Sequence, residues 1–425
     1  MSRLPLPKPI IDNLENIEKT NTENYKTPNF APNDYTSSIE FLKQYNGNKA
    51  TFESYRREIE KLLQWSWLIE NTSILKLKRL DIENYISFCL NPPKSWIGTK
   101  RVSRFIDRNG IRIANHKWRP FVATVNKRDF KHGDLPDKHN YQLSKKSIRE
   151  IFTVLGSFYN YLLIDEKVAS NPVALIKQKS KYLQKRQQQA TVMRLSEKQW
   201  QTCLEVTREL ADHNPEKHER TLFILSALYL LYLRISELVS NDRWTPMMKH
   251  FYRKADGSWW FKVVGKGNKL REIAVSDDML SALKRYREKL NLSSLPSPND
   301  KNYLLSKDKG KGEITDTRHI RRLIQYCFDK TINKLRENKL FLEADAMESA
   351  TVHWLRHTGI SDDINKRGRP LPHVRDDAGH SSSAITDRYN DVELKERYKS
   401  AKNKKLIPKN ESNHFSNEKK ESNEK

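Results

Sequence analysis

The sequence predicts a mainly helical protein of two domains, the second an α+β domain with one small antiparallel sheet. Three observations carry that expectation. At 425 residues the chain is long enough for two ordinary cores. Its longer segments show helical spacing, as in "TFESYRREIEKLLQWSWLIE", where Tyr55, Ile59, Leu62, Leu63 and Trp67 fall on one face with charges opposite. The clearest β signal is confined to "WWFKVVGKGNKLREIAV" (259–275).

Residues 1–36, rich in Asn, Pro and Thr, read as a loosely ordered N-terminal arm. Residues 37–176 read as a helical domain: the segment from Thr51, "LDIENYISFCL" (80–90), and "SKKSIREIFTVLGSFYNYLLIDEKV" (144–168), stopped by Asn171-Pro172. A basic insertion, 91–142, interrupts it. There Lys94, Lys100, Arg101, Arg104, Arg108 and Arg112 alternate with Trp96, Phe105 and Trp118. The pattern reads either as a grip on a nucleic-acid backbone or as a solvated loop anchored by a few aromatics.

"KQKSKYLQKRQQQ" has almost no apolar content and places a basic linker over 177–195. The second domain, 196–401, opens where Ser196 and Gln199 form a capping box. "TLFILSALYLLYL" (221–233) reads as a buried helix, too short to cross a bilayer. Two strands flank the turn Gly265-Lys266-Gly267-Asn268, and "DRWTPMMKHFY" before them is a candidate third strand. Beyond Asp277 the pattern is helices and loops, ending in a disordered basic tail, 402–425.

Lys and Arg number 78 against 53 Asp and Glu, a net charge of +25. That excess suits a polyanion, because many phosphate contacts add up; on charge alone a ribosome-associated or membrane-surface protein stays open. Cys89, Cys203 and Cys327 form no CxxC pair, which argues against a disulfide framework or zinc finger and fits a reducing compartment. "MSRLPLPKPI" has no apolar h-region, so no signal peptide is expected. The expectation is a soluble cytoplasmic protein, nucleoid-associated if bacterial.

Four stretches of the second domain carry candidate chemistry. In "LYLRISELVS" an apolar helix is expected to end in Arg234 with Glu237 one turn later. A buried charge is costly unpaired, so Arg234 either pairs with Glu237 or is held for an anion. The hairpin tip carries Lys266, with Lys269 and Arg271 behind it. "ATVHWLRHTGISDD" puts His353 and Arg356 at i, i+3 on one helical face. "AGHSSSAITDRYN" holds His380 and, nine residues on, Tyr389. That Tyr is either a packing residue on a short helix or a nucleophile with a His beside it. Bland readings also exist for the others: an ion-pair Arg234, an exposed turn Lys266, a core His353. His353 and His357 at i, i+4 lack the intervening carboxylate of HExxH and any Cys cluster, so no metal is expected.

Taken in order, "LRISEL", "VVGKGNKLREIAV", "HWLRHT" and "AGHSSSAITDRY" resemble the tyrosine recombinase, or phage integrase, family over residues 196–400. That family's pattern is Arg in an LR-x-SEL helix, Lys in a GKG-type hairpin, H-x-x-R, then His or Trp, then a nucleophilic Tyr nine residues on. Arg234, Lys266, His353, Arg356, His380 and Tyr389 fill it. Two features depart from it: Leu231-Tyr232 stands where Thr-Gly or Ser-Gly often precedes Leu-Arg, and the 91–142 insertion is extra.

The resemblance implies a helical core-binding domain and a catalytic domain forming a C-shaped clamp around duplex DNA. It implies that Tyr389 attacks a phosphodiester to give a 3′-phosphotyrosine and a 5′-hydroxyl, without ATP, metal or other cofactor. Arg234 and Arg356 would hold the non-bridging oxygens, Lys266 protonate the leaving oxygen, His353 help move the Tyr389 proton, and His380 bond the phosphate. Glu237 would orient Arg234, and Ser381–Ala384 would connect flexibly to Tyr389. Lys269 and Lys262 rival Lys266, Tyr398 rivals Tyr389, and His373 reads as structural. Implied partners are double-stranded DNA, further copies in a dimer or tetramer on it, and accessory DNA-bending proteins; the segment 391–408 would dock on a neighbouring copy. The implied role is site-specific recombination for integration, excision or transposition of a mobile element. The same chemistry serves type IB topoisomerases, and the same fold without chemistry would serve a DNA-binding regulator.

Overall fold

The computed structural model describes residues 4–17, 27–174, 176, 192–265, 267–307, 312–389, 398–399 and 401–402. Lys266, most of the linker (177–191), and 390–397, 400 and 403–425 of the tail lie outside the described residues. The chain divides into two compact units, Met1–Gln188 and Gln189–Lys425.

The first unit is built on α1 (Asp34–Lys43), α2 (Lys49–Leu68), α3 (Arg79–Leu90), a short α4 (Lys127–Lys131) and α5 (Lys145–Ile164). Local signals place the two long helices. Asn48 caps α2 by accepting from the Thr51 N–H, and Ser144 caps α5 by accepting from that of Ser147. Their apolar faces, with Ile59, Leu62 and Leu63 on one and Ile151, Leu155 and Phe158 on the other, meet in a single core.

The stretch expected to be a loose arm is, over residues 4–17, part of that core: Ile10 and Ile11 are buried. The reason lies in α2, whose Glu60 is fully buried and takes the Ile10 and Ile11 amides, the latter at 2.9 Å. A carboxylate in that position needs donors, and the N-terminal backbone supplies them, with Arg104 as counter-ion. Asp12 next accepts two bonds from Arg112, at 2.9 and 2.7 Å.

The insertion is ordered as well. β1 (Ile97–Gly98) pairs in parallel with β4 (Phe121–Val122), and β2 (Phe105–Arg108) pairs antiparallel with β3 (Ile111–Ala114). Asn109 and Gly110, at φ 53° and 77°, turn the hairpin, as Asn-Gly does in two-residue connections. Trp96, Phe105, Trp118 and Phe121 are buried, so these aromatics anchor the insertion and are not free stacking platforms.

The second unit opens with α6 (Glu197–His213), whose Ser196–Gln199 capping box is present, and α7 (Pro215–Leu230). An antiparallel sheet follows, β5 (Phe251–Arg253), β6 (Trp259–Val264) and β7 (Leu270–Ala274) in that order, with Phe251 opposite Phe261 and Val263 opposite Arg271. Then come α8 (Asp277–Lys289), α9 (Thr317–Glu337), α10 (Phe341–Met347), α11 (Val352–Asn365), α12 (Leu371–Ala378) and the four-residue α13 (Ser383–Thr386). Helix α11 crosses α7 so closely that a Cβ on Gly359 would lie 2.0 Å from the Tyr229 carbonyl oxygen, so only glycine fits there. Among the described residues no helix is long and apolar enough to cross a membrane. The protein is mainly helical, with small sheets.

Candidate active site

Four elements of the second unit bring the candidate residues together. The apolar helix stops at Leu230, earlier than expected, because Tyr232 takes a left-handed backbone (φ 50°). Arg234 therefore leads a one-turn 3-10 segment, Ile235–Glu237, instead of ending the helix. Tyr232 occupies the position where the expected family pattern often has Gly, and its left-handed φ is one that Gly adopts without strain.

Arg234 donates from its backbone N–H and its Nη1 to Glu237, at 2.8 and 3.0 Å, and from Nη2 to the Gly379 carbonyl at 3.2 Å. Glu237 is buried and has a second partner. Arg271, reaching across from β7, forks onto both its oxygens at 2.9 and 2.8 Å. Burial works against ionising Glu237, but these hydrogen bonds and the two guanidinium charges together hold its pKa below the usual carboxylate range. Arg271 also donates through Nε to the Asp377 carbonyl at 3.0 Å. Gly379, at φ 62°, ends α12 directly over this side chain; a Cβ there would meet Arg271 Cδ at 2.9 Å.

Arg356, on α11, is almost fully buried and donates to the carbonyls of Tyr232 and of Ala378, the latter at 2.6 Å. Burial, and then the nearby charge of Arg234, press its pKa down. A chain of buried and partly buried polar groups continues from Tyr232. The Tyr232 hydroxyl donates to Asp363, Asp363 accepts from Arg369 at 2.9 Å, and Arg369 reaches Asp377 at 2.7 Å.

Tyr389 lies in a 3-10 turn, Asp387–Tyr389, after α13 and is 5% exposed, so its ring fills space inside the unit. Ser383 and Ala384, expected to be part of a flexible connection, open that helix instead. The Tyr389 ring stacks on His380 at 5.8 Å and meets the edge of His357 at 5.5 Å; His357 in turn lies 4.2 Å from His353, centroid to centroid. Burial raises the Tyr389 pKa while Arg356 and Arg234 pull it back. His353 and His380 are lowered to about 4, by burial first and then by surrounding cations. His353 keeps an exposed edge. His380 Nδ1 lies 3.0 Å from the Thr386 hydroxyl, and Asn365 donates to the Tyr389 carbonyl at 2.8 Å.

Arg234, His353, Arg356, His380 and Tyr389 thus converge. Lys266 lies outside the described residues, but its neighbour Gly265 borders the cluster: a Cβ on it would be 2.8 Å from Arg271 Nη1 and 3.6 Å from Arg234 Nη1. The rivals are elsewhere engaged or exposed. Lys262 sits 5.2 Å over the Tyr252 ring, Tyr398 is 70% exposed, and His373 is exposed, not a core residue. Among the described residues no group of three or more His, Cys, Asp or Glu is placed to hold a metal. Arg271 and His357 are site neighbours to which the sequence had assigned no role in the site, as are Asn365 and Thr386. Arg271 had a signal, a basic side chain on the strand leaving the hairpin; His357 had its i, i+4 spacing from His353.

The geometry has relatives. Residues 193–396 match the model of the phage integrase family. The chain is 24% identical over 279 residues to tyrosine recombinase XerC of Chlorobaculum parvum, covering 63% of this chain and 76% of that protein. It is 27% identical over 270 residues to XerC of Leptospira interrogans, covering 63% and 75%. Among solved structures, the XerH site-specific recombinase bound to a palindromic difH substrate, a post-cleavage complex, matches with a TM-score of 0.55 at 14% identity, over 93% of this chain and 90% of that one. That likeness shows a shared fold. Residues 193–396, within the second unit, are thus a phage integrase family domain, similar to those of tyrosine recombinases.

Proposed function

We propose that the protein is a site-specific recombinase that cuts and rejoins duplex DNA through a 3′-phosphotyrosine on Tyr389, in the service of integrating, excising or transposing a mobile element. The observation that carries this is the buried Tyr389 ring set against His380 and His357, within electrostatic reach of Arg234 and Arg356.

The chemistry follows from those neighbours. The Tyr389 oxygen bonds to phosphorus, its proton passes to the neutral imidazole of His353, and the 5′-oxygen leaves with a proton from Lys266. The bond energy stays in the phosphotyrosine, so a 5′-hydroxyl from a partner strand reverses the step without ATP. Negative charge grows on the non-bridging oxygens in the transition state. Arg356 commits two of its five N–H donors to carbonyls, and Arg234 is likewise fixed by Glu237 and Gly379, which leaves donors on each for those oxygens. His380 is the further donor to the phosphate. Lysine could not fork around phosphate in this way. Double-stranded DNA is the substrate, and further copies of the chain on paired sites supply the exchanging strand, with accessory DNA-bending proteins as candidate helpers.

A nicked duplex carrying a site selected from random sequence tests this. The nick lets the 5′-fragment diffuse away, so a covalent adduct accumulates on a denaturing gel. Tyr389→Phe is expected to bind the duplex normally and form no adduct. Adduct from that variant would move the nucleophile elsewhere, and relaxation of plasmids without paired sites would favour a topoisomerase.

A further inference from the structure

The first unit contains a cleft of about 970 Å³ between α2, the insertion and the start of α5. Its charges do not cancel. Of its carboxylates, Asp12 is taken by Arg112, Glu150 by Arg57 at 2.7 Å, and Glu58 by Lys61 and Arg57 at 2.5 and 2.8 Å. Glu53 is the remaining acid of the lining, and its charge acts on Arg56. Against it stand Arg56, Lys100, Arg101 and Arg119.

Arg119 bonds only backbone carbonyls, those of Ser95, His116 and Trp118, at 2.6–2.8 Å. Lys100 and Arg101 are exposed at the mouth. Arg56 Nε is buried and has no hydrogen-bond partner among the described residues. Such a donor is costly to leave unmet. Burial lowers the pKa of Arg56, and burial together with the charges of Arg56 and Arg57 lowers that of Arg104, so an anion beside them would relieve both. Ser144 and Ser147, in the cap and first turn of the 20-residue α5, also line the cleft, which adds a helix N-terminus to the same face.

We propose that this cleft is a phosphate-binding site, made by the insertion and separate from the residues around Tyr389. Arg56 and Arg119 would meet the phosphate oxygens, with Lys100 and Arg101 closing on it from the mouth. The cleft has the volume of a small-ligand site, far too small to enclose a duplex. Its occupant is therefore one or a few phosphate groups, supplied either by a DNA backbone running past the mouth or by a free polyphosphate.

Full-length Tyr389→Phe protein tests this without involving cleavage. Thermal melts with inorganic triphosphate, against sodium chloride of equal ionic strength, read the free anion. Duplex gel shifts over a salt series read the backbone. The variants are Arg56→Gln and the surface pair Lys100→Gln with Arg101→Gln. If the free anion is the occupant, triphosphate raises the melting temperature beyond the chloride control, and both variants need about tenfold more of it. If DNA is the occupant, both variants bind duplex about tenfold more weakly, and the slope of log affinity on log salt becomes shallower by roughly 1–2. A change in Arg56→Gln alone would make that side chain a packing residue and sink the proposal. So would native-like behaviour of both variants in both assays.

Discussion

The two halves of the candidate active site are held in different ways. Arg234 and Arg356 are fixed by a carboxylate and by three backbone carbonyls, one of them that of Tyr232, whose hydroxyl is tied through Asp363 and Arg369 to Asp377. Among the described residues, Tyr389 is held by apolar packing with Tyr232, Ile360, Val374 and Ala378, two ring contacts and one hydrogen bond from Asn365 to its carbonyl, with no ion pair or side-chain hydrogen bond of its own. Charge stabilisation gains from donors that do not reorganise as the reaction proceeds, so over-determined arginines suit the transition state. In the proposed mechanism the nucleophile takes up DNA and later surrenders it, which suits a side chain held by apolar packing and not by directional polar bonds.

That contrast can be broken at its strong end first. In the mechanism above, Lys266→Ala lacks the acid for the leaving 5′-oxygen, a loss of about 10²–10⁴ in cleavage rate. A 5′-bridging phosphorothiolate, whose thiolate leaves without a proton, is expected to restore it. The same substrate should leave Arg234→Ala and Arg356→Ala impaired, since their defect is charge. Equal rescue of all three would erase the division of labour. Next comes Glu237→Gln, which keeps the shape but removes the charge that orients both Arg234 and Arg271. Single-turnover cleavage should drop about 10²-fold while duplex affinity holds. A near-native rate would mean that the carbonyl contacts suffice to position Arg234.

Much of this was readable in the residues, and the exceptions share a cause. The capping box at Ser196 and Gln199 and the hairpin around Gly265 are short-range patterns, and both are present. Arg234 was expected either to pair with Glu237 or to be held for an anion; it pairs, three residues away along the chain. The Arg271 fork onto Glu237 spans 34 residues and exists only once β7 lies beside the 3-10 turn. Likewise, no local pattern tells that Ile10 and Ile11 cap a buried Glu60 fifty residues on. The helix end at Leu230 was hidden for another reason: apolar sequence continues to Leu233, and only the left-handed Tyr232 stops it. The Asn109-Gly110 hairpin is the opposite case, a local signal hidden in a run of basic residues.

A smaller effect sharpens the electrostatic side. His353 and His380 are pressed to about 4, so both are neutral near pH 7. Their folded pKa lies below the unfolded value, so on acidification the unfolded chain takes protons first. The stability tied to them is present above about pH 6.5 and is lost as pH falls towards 4, tempered at His353 by its exposed edge. A bound phosphate acts in the other direction and raises both pKa values. Duplex binding at pH 6 should therefore take up protons and be a few-fold tighter than at pH 8. Calorimetry in two buffers of different ionisation enthalpy measures the uptake, and its absence in native protein would show that the phosphate does not reach these imidazoles.

The smallest effect is expected at the lightly held end. Asn365→Ala removes the bond to the Tyr389 carbonyl together with two bonds to Ser361, all at 2.8–2.9 Å and within reach of water. Partly exposed neutral hydrogen bonds contribute about 1 kcal/mol, so the melting temperature should move little. Cleavage should fall only two- to tenfold, because the ring contacts with His357 and His380 still guide Tyr389 to the phosphate. Only the alignment of Tyr389 is touched in the proposed mechanism, so the loss should appear in the single-turnover rate and leave duplex affinity unchanged. A loss as deep as that of Glu237→Gln would mean that Tyr389 is anchored as firmly as the arginines, and the contrast between the two halves would fail.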